Sequence, residues 1–599
     1  MDVIRIGGAS GFWGDAAMST PQLLAEGGLN YIVYDYLAEI TMSILARARA
    51  EKPDAGYAAD FVFRALKPNL REIARQHVKI ISNAGGLNPI GCAAAARALV
   101  AELGLDLKVA TVTGDDLTME REALAARGAS EMFSGEAFPD PSKVLSINAY
   151  LGAFPIARAL AEGADIVITG RCVDSAVTLG ACIYEFGWTR TDLDRLAGGS
   201  LAGHILECGP QATGGNFTDW ESVVGMENIG YPIAEIARDG TFVCTKPRDS
   251  GGLVTVGTVS EQLLYEIGDP QAYVLPDVVC DFSDVHIIQQ AQDRVLVSNA
   301  KGRPAPDAYK VCATYLDGFR GGLNASFYGI DASRKAERYA EAVFKRARMA
   351  LRGRNLADFT ETSTEIIGAE SQYGDARRVT AAREVVAKIA ARHEDAAGVE
   401  TLLREATGLG LSAPPGLSGF AGGRPKPTPL ARLFSFTLPK GEVSIAVDVE
   451  GRAIGFFEPA GEGFDRVMLG SPKAPGVEER FVGIAVPLVA LAWSRSGDKG
   501  DKANVGVIAR RPEYFPYICR SLTAERVAER FAHFLKGSVE RFLLPGPCAL
   551  NFLLHNVLGG GGAASLRNDP QGKGYSQLVL DIPIDMPEAL VKRDALPVS

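Results

Sequence analysis

Val3-Ile-Arg-Ile-Gly-Gly-Ala-Ser-Gly-Phe-Trp-Gly-Asp15 runs from a short apolar stretch into glycines and an acid. A helical stretch from Pro21 to Glu26 follows, for which Thr20 is the expected N-cap and Pro21 the first helical residue. The apolar run is continuous rather than alternating, as in a strand covered on both faces. The same strand–turn–helix unit recurs. Tyr31–Tyr34, Val78–Ser82, Lys108–Thr113 and Asp165–Thr169 read as strands. Tyr36–Ala50, Gly91–Leu103 and Gly152–Glu162 read as helices. The repetition predicts an α/β domain with a mostly parallel sheet.

Beyond these units, residues 205–330 are richer in glycine and strand formers. Phe242–Thr245, Leu253–Val259, Val278–Asp281 and Val285–Ile288 are expected as strands of a mixed or antiparallel insertion. Helices are expected over Arg334–Leu351 and Asp375–Arg404, and the proline- and glycine-rich stretch 412–429 reads as a loop or linker. Leu433–Leu438 and Val443–Val449 then read as strands returning to the N-terminal body. Near the C-terminus the order is an apolar run Ala485–Ala492, a charged turn, a strand Val505–Ala509, helices over Tyr514–Leu522 and Ala524–Lys536, and strands near Cys548–Leu554 and Gln577–Ile582. That α+β order fits a small ferredoxin-like sandwich. Two domains are therefore expected, 1–475 and 486–590.

Composition bounds the function. With 599 residues the chain is too long for one core. A net charge of −10 argues against general nucleic-acid or membrane-surface binding, while a local basic pocket can still hold a small anion. No apolar run is long enough to cross a bilayer, and the first residues lack the pattern of a signal peptide. A cytoplasmic location is expected. The nine cysteines contain no CxxC pair, so reduced thiols are expected and a structural zinc site is not. No bound metal or cofactor is predicted. GxxxxGK[ST] is absent, and Gly8-x-x-Gly11-x-x-Gly14 has the wrong spacing for a dinucleotide turn.

In an open parallel sheet, ligands bind beyond the C-terminal strand ends. The segments there are small and polar: Gly8, Ser10, Gly11 and Asp15 after the first strand; Asn83, Gly85 and Gly86 after the third; Asp115 and Asp116 after the fourth; Arg171 and Asp174 after the fifth. Together they predict one cleft with glycine access and several carboxylates. Arg171 would bind a carboxylate or phosphate and Asp174 would transfer a proton; the alternative is a salt bridge capping the next helix. Asp115 and Asp116 can share a proton or hold a divalent cation, or else begin the helix Leu117–Arg127. His204 and Glu207, three residues apart, can act as base and orienting acid, or form a buried structural pair beside Cys208. Gly214, Gly215 and Asn216 offer donors for an oxyanion. Lys246–Gly252 reads as a hairpin connection, and Gly559–Gly562 as a loop able to cover a site.

The charged turn is Trp493-Ser-Arg-Ser-Gly-Asp-Lys-Gly-Asp-Lys-Ala-Asn504. Its exposed N–H groups with Arg495, Ser496, Gly497, Lys499, Gly500 and Lys502 are expected to hold an anion, and Asp498 and Asp501 to orient the cations; a plain charged β-turn is the other reading. This stretch resembles the signature of the C-terminal domain of the acyclic terpene utilisation protein A family. Gly203-His-Ile-Leu-Glu-Cys-Gly-Pro-Gln-Ala-Thr-Gly-Gly-Asn-Phe-Thr-Asp-Trp220 and Thr169-Gly-Arg-Cys-Val-Asp-Ser175 are similar to motifs of its N-terminal part. The resemblance covers nearly the whole chain. It implies a ferredoxin-like C-terminal fold and catabolism of branched, terpene-like or other unusual acids as CoA thioesters. The expected function is an acyl-CoA hydratase or C–C lyase, with a CoA thioester as substrate and the cationic turn on its phosphates. A homo-oligomer is expected. The alternative is a non-catalytic assembly subunit for a neighbouring catabolic enzyme.

Overall fold

The computed structural model describes residues 2–15, 17–379, 381–419, 422–466, 469–476, 481 and 483–598. The early strands are β1 (Val3–Gly8), β2 (Tyr31–Tyr34), β3 (Lys79–Ser82), β4 (Val109–Thr113), β5 (Val144–Ala149), β6 (Ile166–Thr169), β7 (Ile233–Ala237) and β8 (Phe242–Thr245). Five of them form the parallel centre of an eleven-stranded sheet in the order β1-β2-β3-β6-β4. Antiparallel strands extend both edges. β7, β8, Arg294–Ser298 and His286–Ala291 lie outside β1, and Ala446–Val449 with Arg452–Ile454 lies outside β4. The chain thus returns to the N-terminal body at residue 446. Ile32, Ile80, Ile166 and Ile168 are buried on one face, and Ile81, Ala110 and Val167 on the other. Each such aliphatic side chain contributes roughly 1.5–3 kcal/mol.

A second sheet is built around the long strand Ala308–Tyr328, which pairs with Glu384–His393, Thr428–Pro439, Leu417–Ser418 and β5. The C-terminal unit has a four-stranded antiparallel sheet, Ala492–Lys499, Lys502–Ala509, Ala549–Leu554 and Val539–Leu544 in that spatial order, with its own core around Val505, Leu550 and Phe552. Among the described residues no helix is long and apolar enough to cross a membrane.

Several local expectations are corrected. Met18, not Thr20, is the N-cap of the first helix; the helix starts at Ser19, and the Thr20 hydroxyl bonds the Tyr34 hydroxyl at 2.8 Å instead. Leu253–Val259 is not a strand. Thr255 caps a helix over Val256–Leu264, its hydroxyl accepting from Thr258 N. Lys246–Gly252 therefore joins a strand to a helix rather than closing a hairpin. Asp375–Arg404 is not one helix: Glu384–His393 is a strand beside Ala308–Tyr328, and the helix runs only over Ala396–Gly408. Strand pairing overrides the helix propensity of its alanines and lysine. Gln577–Ile582 falls largely within a helix, Tyr575–Leu580. Ala485–Ala492 divides into a strand Gly483–Pro487 and a 3₁₀ turn Leu488–Ala490, after which a new strand begins at Ala492. The charged stretch after Trp493 is itself mostly strand. Lys499 pairs with Lys502, and only Gly500 and Asp501 turn the hairpin.

Candidate functional site

The parallel strands end level with one another, so the residues that follow them share one edge of the sheet. After β1, Ser10 Oγ donates to the Asp35 carbonyl at 3.0 Å. After β3, the Asn83 amide donates to the Asp35 carboxylate and accepts from Tyr36 N at 2.8 Å. After β4, the Asp115 carboxylate accepts from Arg171 N at 2.8 Å and from the Asn148 amide at 2.9 Å. These bonds lock the loops to each other. Burial pushes Asp115 up to about 7. Asp116 instead accepts from Thr118 N and starts the next turn.

The guanidinium of Arg171, after β6, is 3% exposed. It donates to Asp174 at 2.7 Å and lies 4.2 Å from the centre of the Tyr150 ring. The Tyr150 hydroxyl donates to Glu39 at 3.1 Å, and Lys310 stands 3.7 Å from the same carboxylate. Burial alone would raise Glu39, but Lys310, Lys499 and Arg171 outweigh it and pull it down to about 2. Asp35 is raised well above the usual carboxylate range by burial and by the charge of Asp174.

The helix Leu193–Leu206 brings His204 and Glu207 to the same edge. Gly8 and Gly11 permit this approach. A Cβ on Gly8 would lie 2.7 Å from Leu206 O, and one on Gly11 would lie 2.9 Å from the Cys208 carbonyl carbon. Gly85 likewise meets Thr169 O, and Gly86 meets Gly56 O and Leu45. These glycines admit neighbouring backbone and side chains, where the sequence suggested ligand access. His204 Nδ1 is 2.9 Å from Glu207 Oε1, and Nε2 is 3.2 Å from the carbonyl of Leu263. A carbonyl only accepts, so Nε2 carries a proton. One further proton then lies between Nδ1 and Oε1, whichever atom holds it. Burial raises Glu207, and the Glu207 charge raises His204 against its own burial. His204 has no free nitrogen, so it is a positioning residue rather than the expected base. Among the described residues Glu207 Oε2 is buried without a hydrogen-bond partner, as are Arg171 Nε and Ser175 Oγ. An unsatisfied buried polar atom costs about 1–3 kcal/mol, a cost that a ligand bond would remove. The Cys208 thiol is raised well above its usual range by burial and is not a nucleophile at neutral pH.

The C-terminal hairpin closes this edge. Lys499 Nζ lies 3.0 Å from Glu266. Burial opposes its charge, but Glu266, Tyr273, Asp174 and Glu39 together hold it as an ammonium. Its side chain is nevertheless 42% exposed. It is thus crowded by protein yet partly open to solvent. Lys573 joins it, 3.4 Å from Glu266 and 3.2 Å from Asp498. Burial and the charge of Glu266 push Asp498 up to about 6. Glu266 itself has a φ of 58°, an uncommon conformation for a residue with a side chain.

Two of the three motif stretches that carry the family resemblance meet here. Arg495 donates to Asn216 O at 2.7 Å, to Gly215 O and to the Gln211 side chain. Ser494 N donates to the Thr218 hydroxyl at 3.0 Å, and Asp219 accepts from Trp493 Nε1 and both Arg510 nitrogens. Asn504 and Asn551 donate to the carbonyls of Leu264, Ile267 and Gly268. The structure therefore departs from the anion-turn expectation. The Arg495 guanidinium is spent on docking, Ser496 Oγ donates to Gly572 O, and Gly497 packs against Tyr265 and Glu266. Gly214 N and Gly215 N both donate to Pro210 O, which leaves neither for an oxyanion. Gly500 is open, with φ 62°.

Asp15 accepts from Gly11 N and from the Tyr231 hydroxyl. It lines a 220 Å³ cavity with Ser10, Tyr36, Asp60 and Arg64 on the outer side of the first loop. Neither Arg171 nor Lys499 reaches that cavity, so the charged recess is the better site. Sequence reasoning did not single out Glu39, Tyr150, Glu266, Tyr273, Lys310 or Lys573. Only Glu39 carried a usable signal, standing five residues beyond the end of β2. Among the described residues no group of three or more His, Cys, Asp or Glu side chains is arranged to hold a metal ion.

These features define a mixed α/β protein, with a parallel sheet centre flanked by antiparallel strands, whose strand-end edge is closed by an α+β C-terminal domain. The chain belongs to the acyclic terpene utilisation family: the model of the acyclic terpene utilisation family protein AtuA matches residues 4–449, and that of the AtuA ferredoxin-like domain matches residues 486–585. None of the curated proteins and none of the solved structures compared with the chain matches it.

Proposed function

We propose that the protein is a catabolic enzyme acting on a branched or unusual acyl-CoA thioester, as a hydratase or C–C lyase working by acid–base catalysis. The carrying observation is the convergence of two cations, Arg171 and Lys499, with Asp174, Glu207 and Asp35 at one strand-end edge where Lys499 remains 42% exposed. The family is named for acyclic terpene utilisation, which supports a branched acyl chain.

The residues suit dehydration of a 3-hydroxyacyl thioester. Asp174 removes the α-proton, and Lys499 stabilises the negative charge that develops on the thioester oxygen. The electron pair moves into the new α,β double bond as the β C–O bond breaks. The proton shared by Glu207 and His204 passes through Glu207 to the departing hydroxyl, which leaves as water. Hydration is the reverse. In C–C cleavage the same groups would take the β-hydroxyl proton and protonate the enolate. Carboxylates gathered beside a partly exposed ammonium support catalysis over an assembly role.

The test is incubation of the purified protein with branched and unsaturated acyl-CoA thioesters and their 3-hydroxy forms, with product masses as the readout. A change of one water identifies a hydratase and a shorter thioester a lyase. Asp174→Asn and Glu207→Gln should each lower turnover at least a hundredfold. No mass change across the panel refutes the proposal.

A further inference from the structure

A second charged feature lies beside the recess and is not used by the chemistry above. Arg320 and Arg392 face each other directly on neighbouring strands of the second sheet. Like charges so placed repel. Arg392 has a carboxylate partner, Glu361 at 2.9 Å. The neighbouring cations Lys388 and Arg432 are likewise paired, with Glu365 and Asp317. Among the described residues neither Arg320 nor Arg47, on the helix Glu39–Glu51, has a carboxylate within ion-pair distance. Among the described residues the Arg47 side chain bonds the carbonyl of Ser43 in its own helix and no other group, and that of Arg320 bonds the carbonyl of Ser565 alone. Burial and the charges of Arg392 and Arg47 weaken the hold of Arg320 on its proton, which places all three cations in one field.

Against these cations lies Gly559-Gly-Gly-Gly562-Ala563. Gly559, Gly560 and Gly561 have φ of 72°, 98° and 82°, a run that residues with a Cβ rarely adopt. Asp501 accepts from Leu558 N and Gly560 N and pins the loop to the C-terminal hairpin. Arg392 donates to the carbonyls of Gly559 and Ala564. The N–H groups of Gly561, Gly562 and Ala563 have no acceptor among the described residues. A Cβ on Gly560 would lie 3.0 Å from Arg392 Nη2, and one on Gly562 would lie 3.4 Å from both Asp498 and Ile40. The loop therefore runs from the arginines to the rim of the recess. Glu39 in the recess and Arg47 are eight residues apart on one helix, a separation of about 12 Å along its axis.

We infer that Arg47, Arg320 and the N–H groups of the Gly559–Ala563 loop form a phosphate site, which holds the diphosphate of the CoA carrier while its thioester reaches the recess. Surplus positive charge beside unpartnered N–H groups is the chemistry that oxyanions of phosphate satisfy. Carbonyl bonds orient these arginines but leave their charge uncancelled. This assignment moves the carrier's anchor away from Arg495, which is engaged in docking, and it rests on the proposal that the substrate is a CoA thioester.

The test is calorimetric titration of the full chain with CoA, with pyrophosphate as competitor, and turnover of a thioester of N-acetylcysteamine, which has no phosphate. CoA should bind saturably, pyrophosphate should displace it, and Arg47→Gln and Arg320→Gln should each weaken CoA binding about tenfold or more. Arg320 also supports the Ser565 carbonyl, so Arg47→Gln is the cleaner variant and should leave the unfolding midpoint unchanged. Unaltered CoA affinity in both variants overturns the site. So does turnover of the phosphate-free thioester by a protein that neither binds CoA nor is inhibited by it, an outcome that leaves the proposed reaction standing. Weakened CoA binding in the variants, with no thioester turned over, upholds the site and fails the reaction instead.

Discussion

Asp115→Asn should stabilise the protein, and increasingly so as the pH rises. The Asp115 carboxyl is 2% exposed and accepts hydrogen bonds from Arg171 N and Asn148 on one oxygen. Burial moves it from 3.8 to about 7. Between those values the unfolded chain has released this proton and the folded chain has not, so each pH unit favours unfolding by about 1.4 kcal/mol. Over the whole interval the cost is about 4 kcal/mol, complete above pH 7 and absent below pH 3.8. An asparagine oxygen can keep both hydrogen bonds without any ionisation. Urea unfolding at pH 5, 6, 7 and 8 measures the gap between variant and wild type. The variant's advantage should grow from roughly 1.5 kcal/mol at pH 5 to a plateau near pH 8. A gap of constant size, or a variant less stable at every pH, would show that Asp115 enters the fold ionised and refute the argument.

Other perturbations probe the recess and its closure. Asp219→Ala removes three hydrogen bonds from Trp493 and Arg510 and should loosen the C-terminal domain by about 1–3 kcal/mol, read as faster proteolytic cleavage between residues 450 and 486. Gly8→Ala puts a methyl group 2.7 Å from Leu206 O and should cost about 1–3 kcal/mol in unfolding free energy; an unchanged midpoint would mean the helix end is not held against β1. Lys499→Met should abolish turnover of the thioester identified by the substrate panel while leaving the far-ultraviolet spectrum intact. If turnover persists, Lys499 does not stabilise the developing charge. His204→Asn should shift the acid limb of the pH–rate profile, because Glu207 loses the group that shares its proton; an unmoved profile would leave His204 with packing alone.

The parallel centre of the sheet was legible because each strand is a short run of β-branched residues ended by glycine, serine or aspartate. The errors fell where tertiary pairing decides. Glu384–His393 is rich in helix formers and is a strand because Ala308–Tyr328 offers it a full ladder. The Asp174–Arg171 pair and the His204–Glu207 pair could be read from spacing on a helix or at its start. What could not be read was the hundreds of residues of separation between partners. Nothing local to Lys499 points to Glu39, and nothing local to Arg495 distinguishes an anion ligand from a bond to Asn216. The glycines misled for a related reason: a residue that lets a ligand approach and one that lets Leu206 approach look the same in sequence.

The reach of Lys499 has a consequence for biosynthesis. On the ribosome, the strands carrying Asp35, Arg171 and Asp174 emerge long before the hairpin that supplies the ammonium between them. Until that hairpin arrives, Glu39, Asp174 and Glu266 face one another without Lys499, and the same edge has no cover. A nascent chain can build the large sheet, yet its strand-end edge stays half-made and acid-lined. The C-terminal domain thus completes the charge balance of an edge that the large sheet cannot finish by itself.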